Sequence, residues 1–154
     1  MKRYLASLGE LKPRISGQAW NFFANGYGLW GLHDGQLISL SIGDGLDYRP
    51  DGTYPFRINH QRTIALITFL NYEQDLLYTF ELRGVCRMHS DLITEVPNRS
   101  LGDLYTYELV TLENDLLQLG FLFATGSTIV VQFNKLIFRR RRLKRKYPSM
   151  EKYK

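Results

Sequence analysis

Cys86 and His89 stand in a Cys-x-x-His spacing, which supplies two ligands to many zinc sites. On an extended strand, positions 86 and 89 point to opposite faces. Cys86 is the single cysteine of 154 residues, so neither an internal disulfide nor a multi-cysteine metal site is open to the chain. The pair therefore reads as a buried apolar cysteine beside a surface histidine. His33-Asp34 has the residue types of a general-base pair, but no serine sits in the context of a nucleophile elbow, and a loop pair is expected. Gly26-Tyr27-Gly28 and Gly43-Asp44-Gly45 precede no helix, so they read as turns rather than phosphate cradles. Asp44, Asp47 and Asp51 carry calcium-type oxygens, yet their spacing departs from an EF-hand and no glutamate closes the loop. These residues predict no catalytic centre, no metal site and no cofactor.

Two other groups of residues carry more weight. Trp20, Tyr54, Phe56, Phe69, Phe80, Tyr107, Phe121 and Phe133 fall on alternating apolar faces. Turned inward together, they either line a cavity for a small apolar ligand, such as a bile acid or fatty acid, or form a packed core. Alternation identifies the inner face and leaves open whether it is filled. The second group is Arg139, Arg140, Arg141, Arg142, Lys144, Arg145 and Lys146. Residues 139–154 hold nine basic residues and one acidic, a net +8; residues 1–138 hold eleven basic and fourteen acidic, a net −3. A mildly acidic body thus ends in a basic tail, and the net charge of +5 describes neither part. Three readings of the tail stand side by side: a solvated flexible end, contact with an anionic membrane surface, and contact with nucleic acid through phosphates alone.

The elements that must position these residues are strands. The chain is 44% hydrophobic and 23% charged, which supports a packed core and excludes a disordered chain. No apolar run approaches the roughly 20 residues of a membrane-spanning helix. The first ten residues begin like a secretory signal, but Glu10, Lys12 and Pro13 cut the apolar stretch short, so neither an export signal nor an anchor is expected. Ten Tyr and nine Phe favour pleated surfaces. Tyr78-Thr79-Phe80-Glu81-Leu82-Arg83 alternates strictly, and Cys86 and Met88 continue its apolar face past Gly84, whose place inside a strand marks a bulge or bend. Turn-forming residues at short intervals divide the chain into strands at 16–23, 28–32, 36–42, 46–49, 52–58, 62–70, 76–89, 91–96, 104–112, 116–124 and 127–138. Several of these are halves of one bent strand, and only residues 3–11 offer a weak helix. Eight to ten antiparallel strands point to a sandwich or an up-and-down barrel, and hairpins joining sequential strands favour the barrel. The expectation is thus an all-β domain over residues 16–138, a small antiparallel barrel of eight to ten strands. It would be preceded by an N-terminal segment, 1–15, and followed by the tail, 139–154.

The order of four short motifs resembles small bacterial lipocalin-like domains. Trp20 opens the first strand, Asp51-Gly52-Thr53-Tyr54 forms a turn, Gly84-Val85-Cys86-Arg87-Met88 runs into a strand, and Gly126-Ser127-Thr128 leads into a closing strand that ends in arginine. More narrowly, residues 16–138 are similar to the periplasmic domain of ToxS-type proteins, the group that includes the VtrC and PsaF partners. That resemblance implies a lipocalin-like fold at the periplasmic face of the inner membrane. It implies a non-enzymatic accessory or sensor role, in which the domain pairs with and stabilises the periplasmic domain of a membrane-bound transcription regulator and shares a ligand site with it. The alternative is a free-standing, cytoplasmic, lipocalin-like carrier of a small hydrophobic molecule. An RNA-associated role acting through the tail is a third class.

Overall fold

Alternation of apolar residues becomes two antiparallel sheets. The computed structural model describes residues 9–24, 31–44, 63–93 and 101–144. Its elements are α1 (Gly17–Ala24), β1 (Gln36–Asp44), β2 (Thr63–Leu70), β3 (Leu76–Arg83), β4 (Arg87–Asp91), β5 (Leu104–Thr111), β6 (Leu117–Phe123), β7 (Thr128–Phe133) and β8 (Lys135–Arg142). One sheet, here sheet A, has the order β1-β2-β3-β8; the other, sheet B, has the order β4-β7-β6-β5. All-β architecture is thus as expected, and six of the eleven expected strands lie within a few residues of observed ones.

Inward residues follow the period of two. Ala65, Ile67 and Phe69 of β2 are buried, as are Tyr78, Phe80 and Leu82 of β3 and Leu117, Leu119, Phe121 and Phe123 of β6. Register aligns them across sheet A: Leu40, Ile67, Phe80 and Phe138 form one row. The β2–β3 turn is held by Asn71. Its Oδ1 accepts the Asp75 N–H at 3.0 Å and the Leu76 N–H at 2.9 Å, while its Nδ2 donates to Asp75 Oδ1 at 2.8 Å. These bonds satisfy a side chain that is otherwise buried.

β3 and β4 are two halves of one bent strand, as Gly84 predicted. Gly84 has φ +67°, a left-handed conformation that an L side chain rarely takes, and a Cβ there would lie 2.6 Å from Asn134 Nδ2. Asn134 is the matching corner between β7 and β8. Its N–H bonds to the Arg83 carbonyl at 3.0 Å, and Cys86 N–H bonds to the Gln132 carbonyl at 3.0 Å. The paired ribbon β3–β4 with β7–β8 therefore passes from one sheet to the other through a corner at Gly84 and Asn134. On the opposite side, Asp34 N–H bonds the Leu104 carbonyl at 2.9 Å and Leu104 N–H bonds the Gly35 carbonyl at 2.8 Å, joining the approach to β1 with β5.

Three expectations change. No closed barrel forms among the described residues, and the order is not up-and-down, because β8 returns to β3 and β7 to β4. The expected strand at 16–23 is helix α1. Ser16 Oγ accepts the Ala19 N–H at 3.2 Å as an N-cap, and Ala19, Phe22 and Phe23 recur at helical spacing on the buried side. Cys86 is exposed rather than buried, since the bend at Gly84 breaks the alternation that put it on the apolar face. The expected strands at 46–49 and 52–58 lie outside the described residues.

Candidate functional site: a filled interior and a cationic edge

Phe69, Phe80, Phe121 and Phe133 are buried together where the two sheets face each other. Phe69 and Phe121 have ring centroids 4.8 Å apart, and Phe80 and Phe121 5.5 Å. Tyr107 is half-buried and accepts a long hydrogen bond from the Leu32 N–H at 3.5 Å. Trp20 packs against the margin of this core. It lies half-buried on α1 with the Lys12 ammonium 5.7 Å from its ring, a cation–π contact. Tyr54 and Phe56 lie outside the described residues.

The space between the sheets is taken by two residues that the sequence reading did not single out. Phe22 sits 4.8 Å from Phe138, 5.1 Å from Tyr107, 5.2 Å from Tyr78 and 5.7 Å from Phe80, centroid to centroid. Phe23 lies 5.1 Å from Phe22 and 6.3 Å from Phe80. These are the offset and edge-on distances at which aromatic pairs attract, each adding about 0.5–1.5 kcal/mol beyond area burial. The available signal was Ser16, a capping residue ahead of Ala19, Phe22 and Phe23 at i, i+3, i+4.

Arg139, Arg140, Arg141 and Arg142 belong to β8, not to a tail. They pair in register with Thr79, Tyr78, Leu77 and Leu76, so the boundary expected at residue 138 falls inside a strand. Alternation sends Arg139 and Arg141 to the face turned away from sheet B, and Arg140 and Arg142 to the other. Glu81 is buried between two of the cations, 2.6 Å from Arg83 and 2.7 Å from Arg139. Burial alone would raise its pKa, but hydrogen bonds from Arg139 and Arg83 outweigh burial and hold the carboxyl below the usual glutamate range. Asp75 is likewise lowered, first by the Asn71 hydrogen bond and then by Arg142, whose guanidinium is 3.6 Å away. Burial raises the Tyr78 phenol, against an opposing hydrogen bond from Arg140. Lys144 is exposed just past the strand; Arg145 and Lys146 lie outside the described residues.

The weaker groups stay apart. His33 Nδ1 and Asp34 Oδ2 are 3.1 Å apart and half exposed, a surface pair as expected. His89 is exposed on β4, and no group of three metal-binding side chains occurs among the described residues. Asp44 accepts a hydrogen bond from Thr63 at 3.4 Å, while Asp47 and Asp51 lie outside the described residues. Among the described residues, open clefts flank the sheets. One, of about 550 Å³, lies over Arg87, His89, Val130 and Gln132. Another, of about 590 Å³, runs between residues 135–138 of β8 and a wall of Arg14, Ser16, Gly17 and Gln18.

Among the described residues the protein is thus an all-β, two-sheet fold with helix α1 packed into its core and a cationic strand at the border of one sheet. No helix among the described residues is long and apolar enough to cross a membrane. No protein-family model, curated protein or solved structure matches the chain.

Proposed function

We propose that this protein is a partner-binding module that works through its surface rather than by carrying a ligand inside. One observation carries the reading: Phe22 and Phe23 occupy the space between the sheets that a carrier would leave for its cargo. A barrel-type carrier needs an interior able to enclose most of its ligand. The accessory role implied by the ToxS-type resemblance fits this arrangement, with the periplasmic domain of a membrane-bound transcription regulator as the partner class. In fold terms we read the molecule as an opened, filled relative of a lipocalin-like barrel. The corner at Gly84 and Asn134 and the bridge at Leu104 support that reading, since they join the sheets on opposite sides.

Native mass spectrometry of the protein purified from its own cell tests the proposal. A stoichiometric protein partner, with no small apolar molecule retained, is the expected result. A co-purified lipid or steroid-like molecule at one per chain would replace the module with a carrier. A partner without any membrane-bound regulatory domain would remove the regulator as partner class.

A further inference from the structure

We propose that the open side of β8 is a docking strand, which takes an extended acidic segment of a partner protein as an added strand of sheet A. The inference rests on the reading above and names the chemistry of the partner. β8 has β3 on one side and no strand on the other among the described residues. The cause is visible in sheet B. β6 ends at Leu117, opposite Phe133, so the ribbon loses that neighbour as it turns the corner at Asn134.

The register says which backbone groups are turned outward. Leu143 donates its N–H to the Asp75 carbonyl at 2.7 Å. Antiparallel pairing alternates, so residues 141, 139 and 137 share their bonds with β3, while residues 142, 138 and 136 turn their N–H and C=O groups to the open side. The cleft walled by Arg14, Ser16, Gly17 and Gln18 lies along residues 135–138 on β8. An added strand would thus have both a ladder to complete and a channel to lie in.

Charge selects the occupant. Arg139 and Arg141 flank the edge on one face and Arg142 on the other, with Lys135 and Lys144 at its ends. Glu81 and Asp75 answer two of these cations, which leaves the edge cationic. Basic side chains on an edge strand normally repel stray strands. The same cations favour a strand with carboxylates opposite them, because oppositely charged cross-strand pairs attract and like pairs repel. A second copy of this chain would set arginine against arginine. A lipid headgroup or nucleic-acid phosphate would meet the cations but leave the alternating backbone donors and acceptors without strand partners.

The test uses the full chain and four probes: a short peptide of alternating valine and glutamate, its valine–lysine counterpart, phosphatidylserine-containing vesicles, and an RNA of arbitrary sequence. Affinities at low and physiological salt are combined with amide hydrogen exchange. The acidic peptide should bind about tenfold or more tightly than the basic one, the sum of two or three cross-strand charge pairs. It should slow exchange across residues 136–142. Arg141→Glu with Lys144→Glu, both exposed positions, should reverse the preference; the exchange pattern of the parent chain carries the test if that variant does not fold. Equal binding of both peptides, protection confined to another region, or displacement of the peptide by vesicles or RNA would overturn the proposal. A natural partner that binds undiminished after both charge reversals would defeat the docking strand but leave the module standing. Absence of any partner would defeat the module itself.

Discussion

Around Phe22 the rings of Tyr78, Phe80, Tyr107 and Phe138 close in from both sheets and from within 5.7 Å; along β8, four consecutive arginines meet two carboxylates, the Tyr78 phenol and solvent. Both regions are built on the same strands, since Phe138 and Arg139 are neighbours. Among the described residues the interior rings answer one another, whereas the edge holds more cations than carboxylates. On the proposed reading, stability is concentrated where the rings meet, and recognition where charges and backbone are left over. Substitutions should separate the two properties.

The largest effect is expected from Phe22→Ala. Removing a ring that contacts both sheets should cost about 3–5 kcal/mol, measured by chemical unfolding, and should let an apolar fluorescent probe enter the vacated space. Strong probe binding by the parent chain as well would show that the interior is not full. Next comes Gly84→Ala. The corner needs φ +67°, and the new methyl must displace Asn134. A loss of about 1–3 kcal/mol is expected, with the lower melting temperature visible to circular dichroism.

Glu81→Gln tests the join between the two regions. It should cost about 1–2 kcal/mol, less than the roughly 3–5 kcal/mol of a fully buried pair, because Arg83 and Arg139 both reach solvent. The pH dependence has a definite sign. Glu81 is held below its ordinary pKa in the folded state, so its contribution is present above the ordinary value. It is lost as pH falls through about 4 toward the lowered native value. Acid unfolding of the variant should therefore be shallower in that window than that of the parent. The smallest effect belongs to Arg141→Ala, an exposed side chain whose loss should change stability by no more than about 0.5 kcal/mol. If it destabilised the fold as much as Glu81→Gln, the division between interior and edge would fail.

Local alternation made β2, β3, β6 and the β7–β8 ribbon legible, together with the bend at Gly84, because period-two burial is written into each segment. Three features were not legible in that way. Residues 17–24 fit two periods: Trp20 and Phe22 suit a strand, while Ala19, Phe22 and Phe23 suit a helix, and only the Ser16 cap tips the balance. Strand order is a matter of distant pairing: Arg139 meets Glu81 across 58 residues, and alternation within either strand carries no address for the other. Finally, a run of four arginines hides its own alternation, since identical residues face both ways, so a paired edge strand reads as a solvated tail. The aromatic half of the candidate site was partly found, at Phe69, Phe80, Tyr107, Phe121 and Phe133. Its filling by Phe22 and Phe23 depended on the helix.

Amide hydrogen exchange on the protein bound to its natural partner tests the central claim most directly. Slowed exchange across residues 136–142 of β8, with the amides of Phe69, Phe80 and Phe121 unchanged, is the predicted result. Slowed exchange at those interior amides, with β8 unchanged, would contradict it and return the function to the space between the sheets.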